Sequence, residues 1–211
     1  MNKQIVDYLD ELFPDAKCEL EYNKDYELLI AIMLSAQTKD ERVNKVTKIL
    51  HQKYPSLKEL AEADLEDVKN IIRPLGNYNR KALNVLEISK KLLPYSKIPN
   101  DRNLLETLPG VGHKTANVFL AMIYHEPCFA VDTHVTRVSK RLGISKENDN
   151  VNVIECKLMK FFKNSDIERL HHQLVLFGRY HCKAKKPNCS NCKLKEICKE
   201  KKSWRSSFFL L

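Results

Sequence analysis

Four of the seven cysteines lie close together near the C-terminal end of the sequence. Cys182, Cys189, Cys192 and Cys198 fall within seventeen residues, with the spacing C-x6-C-x2-C-x5-C. Because an intracellular compartment disfavours disulfides, a bound metal is the better explanation of such a cluster. Zinc held by four thiolates and a 4Fe–4S cluster both satisfy the ligand count, although the long gaps differ from the paired C-x2-C knuckles of structural zinc. The alternative is four thiols that bind nothing.

A glycine-rich turn followed by a lysine is the second feature that could do chemistry. The run LPGVGHKTA predicts a short helix, a tight turn containing Gly110 and Gly112, and a second helix that carries Lys114 in its first turn. Glycines let the chain approach another surface closely, and the N–H groups at a helix start attract phosphate. Lys114 is therefore either a phosphate ligand or an amine nucleophile that forms a Schiff base. We expect partial burial and the positive helix end to favour the nucleophilic form.

Asp132 is the third candidate. It follows an apolar stretch and precedes Thr133-His134-Val135, where a helix is predicted to start. Aspartate is a favoured helix N-cap, which is a purely structural role. A carboxylate there can also stabilise a cationic transition state and assist proton transfer. The two roles are compatible.

The elements that must position these residues are helices. Asn-Gly and Asp-Gly dipeptides and sustained two-residue alternations are missing, so the signals for a sheet are absent. Capping boxes at Ser56–Glu59 and Ser165–Glu168 predict two helix starts, and Gly143 predicts a helix end. Two apolar stripes at helical spacing are formed by Ile5, Leu9, Leu12 and Phe13, and by Val43, Val46, Ile49 and Leu50. The predicted fold class is all-α.

Composition excludes several classes of protein. The chain has 211 residues, of which 43% are hydrophobic and 30% charged, enough for one core or two small ones and unlike a disordered chain. The longest apolar run, Leu28–Leu34, has seven residues, against ~20 for a membrane-spanning helix. Acidic residues interrupt the N-terminal apolar positions, so no secretory signal is predicted. We expect a soluble intracellular protein that is monomeric and cytoplasmic, or associated with the nucleoid in a bacterium.

The positive charge is concentrated in the cysteine segment. The formal net charge is +9, and the residues from His181 to Arg205 account for +7 of it. A local basic patch indicates a polyanionic partner, whereas a solvated lysine-rich tail is the structural alternative. The segment has too few apolar residues to build its own core, so metal binding would supply its folding energy and present Lys183, Lys185 and Lys186 on a fixed loop.

These motifs together resemble one known family. LPGVGHKTA is similar to the helix-hairpin-helix motif of the endonuclease III family of DNA glycosylases. VDTHV, the C-terminal cysteine spacing and LSAQTKD at Leu34–Asp40 also match that family in the expected order. The resemblance implies a helical barrel domain at residues 20–127, and a second domain, made of residues 1–19 and 128–211, that carries a 4Fe–4S cluster. It also implies a groove between the domains for duplex DNA with damaged bases or abasic sites.

The resemblance assigns roles residue by residue. It makes Lys114 the nucleophile and Asp132 the catalytic carboxylate, and the four cysteines the cluster ligands. Gln37 matches the residue that fills the space left by the extruded base, although it could simply cap its helix. His134 and Lys186 are candidate phosphate contacts. The family's apolar wedge residue aligns with Asn77, which departs from the pattern, and the neighbouring Tyr78 is either a stacking substitute or a core residue.

The leading functional hypothesis is a bifunctional enzyme of base excision repair. It would remove oxidised or damaged pyrimidines and then cleave the strand 3′ to the sugar by β-elimination through Lys114. The alternatives are a monofunctional glycosylase of the same superfamily, a non-catalytic DNA-binding module with a structural metal, and an electron carrier. Monofunctional mismatch-adenine enzymes lack a lysine at this position, and an electron carrier needs no phosphate-binding hairpin.

Overall fold

The computed structural model describes residues 1–163 and 165–200, and these residues contain helices and turns but no β-strand. The all-α prediction is confirmed. Residues 201–211, which include the end of the basic segment at Arg205, lie outside the description. The α-helices are α1 (Asn2–Leu12), α2 (Asp25–Leu34), α3 (Asp40–Lys53), α4 (Leu57–Ala61), α5 (Leu65–Ile72), α6 (Tyr78–Leu92), α7 (Arg102–Glu106), α8 (His113–Tyr124), α9 (Thr133–Arg141), α10 (Val151–Phe161) and α11 (Ile167–Leu176).

The chain forms two compact units. The first is the continuous segment Glu19–His125, and the second combines Met1–Cys18 with the chain from Glu126 onward. Short 3-10 turns lie at Arg73–Leu75 and Lys195–Ile197, and a π-helical turn lies at Phe177–His181. None of the described helices is both long and apolar enough to cross a membrane.

Helix α2 is the centre of the first unit. Apart from Asp25 at its start, every residue of this helix is buried, because α3, α6 and α8 all pack against it. The apolar run predicted from the sequence is therefore a core helix. The stripe predicted on α3 is right at three positions and wrong at Ile49, which is 53% exposed. Thr47 is buried in its place, since the i, i+3, i+4 and i+7 positions that start at Val43 share one face.

The second unit has its own apolar core. Ile5 and Leu9 of α1 are fully buried in it, together with residues of α9, α10 and α11. The predicted α1 stripe is confirmed, since Leu12 and Phe13 also pack against this core. Leu194, from the cysteine segment, is fully buried here as well. The segment is therefore attached to the unit by apolar burial in addition to any metal.

The predicted helix ends are right in two cases and wrong in one. Ser56 and Glu59 form the predicted capping box at the start of α4, and Gly143 follows α9 with a left-handed φ of +72°. Ser165 does not cap α11. Asp166 does so instead, because its carboxylate stands one residue later and accepts the Arg169 N–H at 3.0 Å.

Candidate active site and nucleic-acid interface

The glycine-rich run folds as a helix, a tight turn and a second helix, as predicted. Asp101 caps α7 by accepting the N–H groups of Asn103 and Leu104, and α8 begins at His113. The two helices are joined across the turn by side chains. Arg102 donates to the buried Asn117, and His113 Nδ1 lies 3.2 Å from Glu106 Oε1. These contacts connect the two helices of the hairpin.

Glycine serves a different physical purpose at each of the two positions in the turn. Gly110 has a φ of +79°, and a Cβ built on it would lie 2.4 Å from Asn84 Nδ2 and 3.2 Å from Met33 Cγ. Gly112 has an ordinary φ of −100°, and a Cβ there would meet nothing within 4 Å. The fold therefore requires a glycine at position 110. At position 112 the missing side chain leaves the surface open to a molecule from outside.

Lys114 is the second residue of α8 and is exposed. The expectation that it is partly buried is wrong for the protein alone, because the turn directs the first residues of α8 outward and Gly112 and His113 are exposed with it. No side chain caps α8, since its N-cap is Gly112. The positive end of the helix dipole thus faces outward beside an amine, an arrangement that suits an anionic ligand.

Asp132 is half-buried at the N-cap of α9 and accepts the Val135 N–H at 2.8 Å. The structural role predicted for it is confirmed. A carboxylate has several lone-pair sites, so one capping hydrogen bond leaves capacity for a second partner. The cap also fixes the orientation of the side chain relative to α9.

His134, two residues later, is held by Arg137. The Arg137 Nη2 atom lies 3.2 Å from His134 Nδ1, and a guanidinium can only donate. Nδ1 is therefore the acceptor, and the proton of the neutral imidazole is on Nε2. His134 is half-buried, and its Nε2–H is a donor suited to a phosphate oxygen.

The four clustered cysteines line a single cavity in the second unit. Phe177, His181 and Leu194 supply apolar walls to the same cavity. The His181 ring is buried and stacks on Phe177 at a centroid distance of 4.9 Å. Burial lowers the pKa of His181, which favours its uncharged form.

Two arginines one helical turn apart on α9 fasten the start of the cysteine loop. Arg137 donates to the carbonyls of Gly178 at 2.6 Å and Cys182 at 3.1 Å. Arg141 Nη1 donates to the Lys183 carbonyl at 2.8 Å and lies 3.3 Å from the Cys182 sulfur. The helix capped by Asp132 and the first cysteine of the cluster are thus connected by hydrogen bonds.

The electrostatics of the cavity suit a cationic group. Burial raises the pKa of the Cys192 and Cys198 thiols, and the charges of Cys182 and Cys189 raise it further. Four thiolates at these positions need positive charge between them, which is what a thiolate-bound metal centre provides. Residues 1–163 and 165–200 contain no three Cys, His, Asp or Glu side chains placed to hold a single metal ion.

The rest of the cysteine segment is attached to α1. Tyr8 donates to the Asn191 carbonyl at 3.0 Å, and Lys193 pairs with Glu11 at 2.5 Å. Lys186 is exposed on the loop between Cys182 and Cys189, with a left-handed φ of +50°. Lys183 and Lys185 are exposed on the same loop. The lysines are therefore presented together by a segment that is fixed at several points.

Gln37 lies beyond the end of α2, exposed and with a φ of +58°. It does not cap a helix, because α2 ends at Leu34 and Ser35 is its C-cap. Asn77 is exposed and left-handed as well, with a φ of +47°, and it precedes α6 as its N-cap residue. Tyr78 is half-buried.

The predicted site residues divide between the two units. Gln37, Asn77, Tyr78, Gly110, Gly112 and Lys114 belong to Glu19–His125, whereas Asp132, His134, Lys186 and the four clustered cysteines belong to the second unit. Within the second unit the structure brings His134 and the cysteine loop together through Arg137 and Arg141, which the sequence reasoning missed. Their signal was available, because two arginines four residues apart share a face of a helix. Their partners were not available from the sequence.

Comparisons with known proteins point to one family. Residues 30–164 match the HhH-GPD superfamily of base excision DNA repair proteins. Endonuclease III of Bacillus subtilis is 44% identical over 197 residues, which cover 92% of this chain and 90% of the relative. A non-covalent endonuclease III–DNA complex has a TM-score of 0.90 at 44% identity, and a trapped endonuclease III–DNA covalent intermediate has 0.89 at 43%. Each covers 97% of this chain and 99% of the solved chain.

The helix-hairpin-helix in the described residues and the match over residues 30–164 place the chain in a class of base excision DNA repair proteins. The chain belongs to the HhH-GPD superfamily, and within it to the endonuclease III family. The resemblance stated from the motifs is confirmed.

Proposed function

We propose that this chain is a DNA glycosylase and abasic-site lyase that removes oxidised or damaged pyrimidines from duplex DNA. The observation that carries the proposal is Lys114, an exposed amine in the first turn of the uncapped helix α8. A phosphate bound at this turn would bring the sugar of the same strand to the amine. The family relationship supports the same chemistry, because one related endonuclease III was trapped as a covalent intermediate with DNA.

The chemistry begins with an uncharged Lys114 amine. Its nitrogen attacks C1′ of the damaged nucleotide, the glycosidic C–N bond breaks, and the base leaves with a proton. The C1′–O4′ bond then opens, and a proton passes from the nitrogen to O4′ as the C=N bond of the Schiff base forms. Removal of a C2′ proton then expels the 3′ phosphate by β-elimination, and water releases the lysine.

Asp132 is the carboxylate we assign to this reaction. Its negative charge would stabilise cationic character on the sugar and help to move protons during the eliminations. The cap bond to Val135 holds it in place and leaves acceptor capacity for a proton. Its structural and catalytic roles therefore use different lone pairs of one carboxylate.

The remaining assignments concern the duplex. A base inside the stack must be extruded before its sugar can be attacked, which leaves a gap opposite the orphaned base. Gln37 offers amide donors and acceptors to that base. The glycine turn at Gly110 and Gly112 would bind a phosphate through backbone N–H groups, and His134 Nε2 and Lys186 would each contact a further phosphate.

We assign a 4Fe–4S cluster to the cysteine cavity, with Cys182, Cys189, Cys192 and Cys198 as ligands. The fit rests on four thiols that line one cavity and on Arg141, whose guanidinium lies 3.3 Å from the Cys182 sulfur. When bound, the group supplies cross-links that fix the lysine-bearing loop. Analysis of iron, sulfide and zinc in the purified protein tests this choice, since a zinc content of one per chain without iron would contradict it.

Borohydride trapping tests the function directly. A duplex with one abasic site is incubated with the wild type, with Lys114→Gln, and with Lys58→Gln, which changes an exposed lysine of α4 in the same unit. We expect a covalent adduct with the wild type and with Lys58→Gln but not with Lys114→Gln. An adduct that persists in Lys114→Gln would contradict the assigned nucleophile. No adduct with the wild type, despite tight duplex binding, would indicate a monofunctional glycosylase or a binding module.

A further inference from the structure

Lys81 is a buried lysine on the first turn of α6, only 6% exposed. Lysine is among the residues least often found fully buried. The Nζ atom of Lys81 lies within hydrogen-bond distance of four oxygens. These are the carbonyls of Leu34 at 2.9 Å, Ala36 at 2.9 Å and Leu75 at 3.2 Å, and Thr38 Oγ1 at 3.2 Å.

All four oxygens are uncharged, and they come from two separate segments. Leu34 ends α2 and Ala36 and Thr38 belong to the loop that follows it, whereas Leu75 ends the turn that precedes α6. An ammonium group has three N–H donors, so this site uses all of them on the two loops. Burial lowers the pKa of Lys81. Because burial of an ammonium group costs free energy, we infer that Lys81 holds the two segments in a conformation that the neighbouring residues alone do not maintain.

The two loops carry the residues that face the duplex in the proposed function. Gln37 lies between Ala36 and Thr38, both of which Lys81 contacts, and Asn77 lies two residues after Leu75. Gln37 and Asn77 are exposed and have left-handed backbones, with φ values of +58° and +47°. Left-handed conformations of non-glycine residues persist only where surrounding contacts impose them.

A second bond joins the same loops. Thr38 Oγ1 donates to the Leu75 carbonyl at 2.9 Å, so that this carbonyl accepts from both Thr38 and Lys81. The backbone N–H of Lys81 also donates to the Asn77 carbonyl at 3.1 Å. One residue thus contacts the loop of Gln37 through its side chain and the residue Asn77 through its backbone.

We propose that Lys81 is a positioning residue for base extrusion, which fixes the two loops so that Gln37 and Asn77 enter the duplex as one rigid pair. The inference rests on the proposed function and assigns Asn77 a polar task. Two side-chain amides offer both donors and acceptors, so together they can hydrogen-bond the Watson–Crick edge of the orphaned base. Lys81 itself touches neither DNA nor the reacting atoms.

The first test measures unstacking of the orphaned base in a duplex that the protein cannot cleave. The duplex carries an uncleavable tetrahydrofuran abasic site opposite 2-aminopurine, whose fluorescence reports unstacking. We expect the wild type and Lys90→Met to raise the fluorescence, because Lys90 is an exposed lysine on the same helix. Lys81→Met should lose most of this change while its duplex affinity stays within about threefold, since the hairpin contacts are untouched. A full fluorescence change in Lys81→Met would overturn the inference.

The second test separates extrusion from cleavage. In Lys81→Met, we expect single-turnover excision of a damaged base to slow about tenfold, as for loss of one transition-state interaction. Cleavage of a preformed abasic site should stay within about threefold, because no base has to be extruded. Equal slowing of both steps would indicate a merely structural role. A wild type with neither activity would refute the proposed function, whereas the fluorescence assay would still test Lys81.

A coupling experiment tests how Lys81 acts. In a Gln37→Ala/Asn77→Ala background, Lys81→Met should cause no further loss of the fluorescence change or of excision, because the side chains that it positions are gone. Independent, additive losses would overturn the inference. If circular dichroism shows that Lys81→Met does not fold, Thr38→Val replaces it, since that variant removes the hydroxyl that bridges the loops. The same pattern with a smaller loss is expected, and its absence would contradict the inference.

Discussion

The two glycines of the hairpin turn allow a sharp test, because the same substitution should damage different properties at positions two residues apart. Gly110→Val places a β-branched side chain at a φ of +79°, and its Cβ would stand 2.4 Å from Asn84 Nδ2. The left-handed backbone costs roughly 1–2 kcal/mol, and overpacking against a buried asparagine costs about 1–3 kcal/mol more. The free energy of unfolding should therefore fall by about 2–5 kcal/mol. In a chain of this size, that lowers the apparent melting temperature by roughly 4–20 °C.

Gly112→Val should leave the fold nearly unchanged and weaken DNA binding instead. Its Cβ meets nothing within 4 Å, and the φ of −100° is accessible to any residue. The poorer N-cap costs no more than about 1 kcal/mol. The isopropyl group would, however, keep a phosphate from the N–H groups of α8. Loss of one charge-assisted hydrogen bond is worth about 1.5–3 kcal/mol, which corresponds to roughly a 10- to 150-fold loss of affinity.

The assay pairs thermal unfolding at equal cluster loading with a titration of a tetrahydrofuran-containing duplex at fixed salt. Gly112→Val is the stability control for Gly110→Val, since it should spare the melting temperature. Full duplex affinity in Gly112→Val would refute the phosphate-binding role of the turn. A wild-type melting temperature in Gly110→Val would refute the packing argument.

Three further predictions concern other parts of the chain. Cys189→Ser should disorder the cysteine loop and weaken duplex binding, because one ligand of the proposed metal centre is lost. Limited proteolysis and a duplex titration measure these effects, and unchanged binding would contradict the prediction. Asp132→Asn should keep the cap on Val135 but lose excision activity. Asp132→Ala should lose excision activity and also about 1 kcal/mol of stability. An active Asp132→Asn variant would show that the negative charge is not needed. Burial and the hydrogen bond to Asp67 raise the pKa of Tyr54 to about 12. The stability from this raised pKa is present below pH 10, the ordinary tyrosine value, and is lost as the pH rises through about 12. Ultraviolet titration should therefore show a late-ionising tyrosine that Tyr54→Phe removes.

The features that sequence reasoning predicted well are local. The helix starts at Ser56 and near Lys114, the end of α9 and the N-cap at Asp132 depend on residues within about one turn of each other. The wrong predictions concern positions where neighbouring residues compete for the same cap, or where tertiary packing determines which face of a helix is buried. Asp166 took the cap that Ser165 was expected to supply, and α3 buried Thr47 rather than Ile49 because only one face of the helix meets α2 and α5.

The sequence alone determined the helical class, the hairpin with its lysine, the capped carboxylate and the cysteine cluster, because motif spacing and short-range hydrogen bonding suffice for these. Only the tertiary structure decided that Lys114 is exposed, that Leu194 enters the core, and that Lys81 joins two loops more than thirty residues apart. The physical reason is that such contacts depend on which faces of distant helices meet. Lysine is usually solvent-exposed, and only the packing shows that the Lys81 ammonium is surrounded by carbonyls.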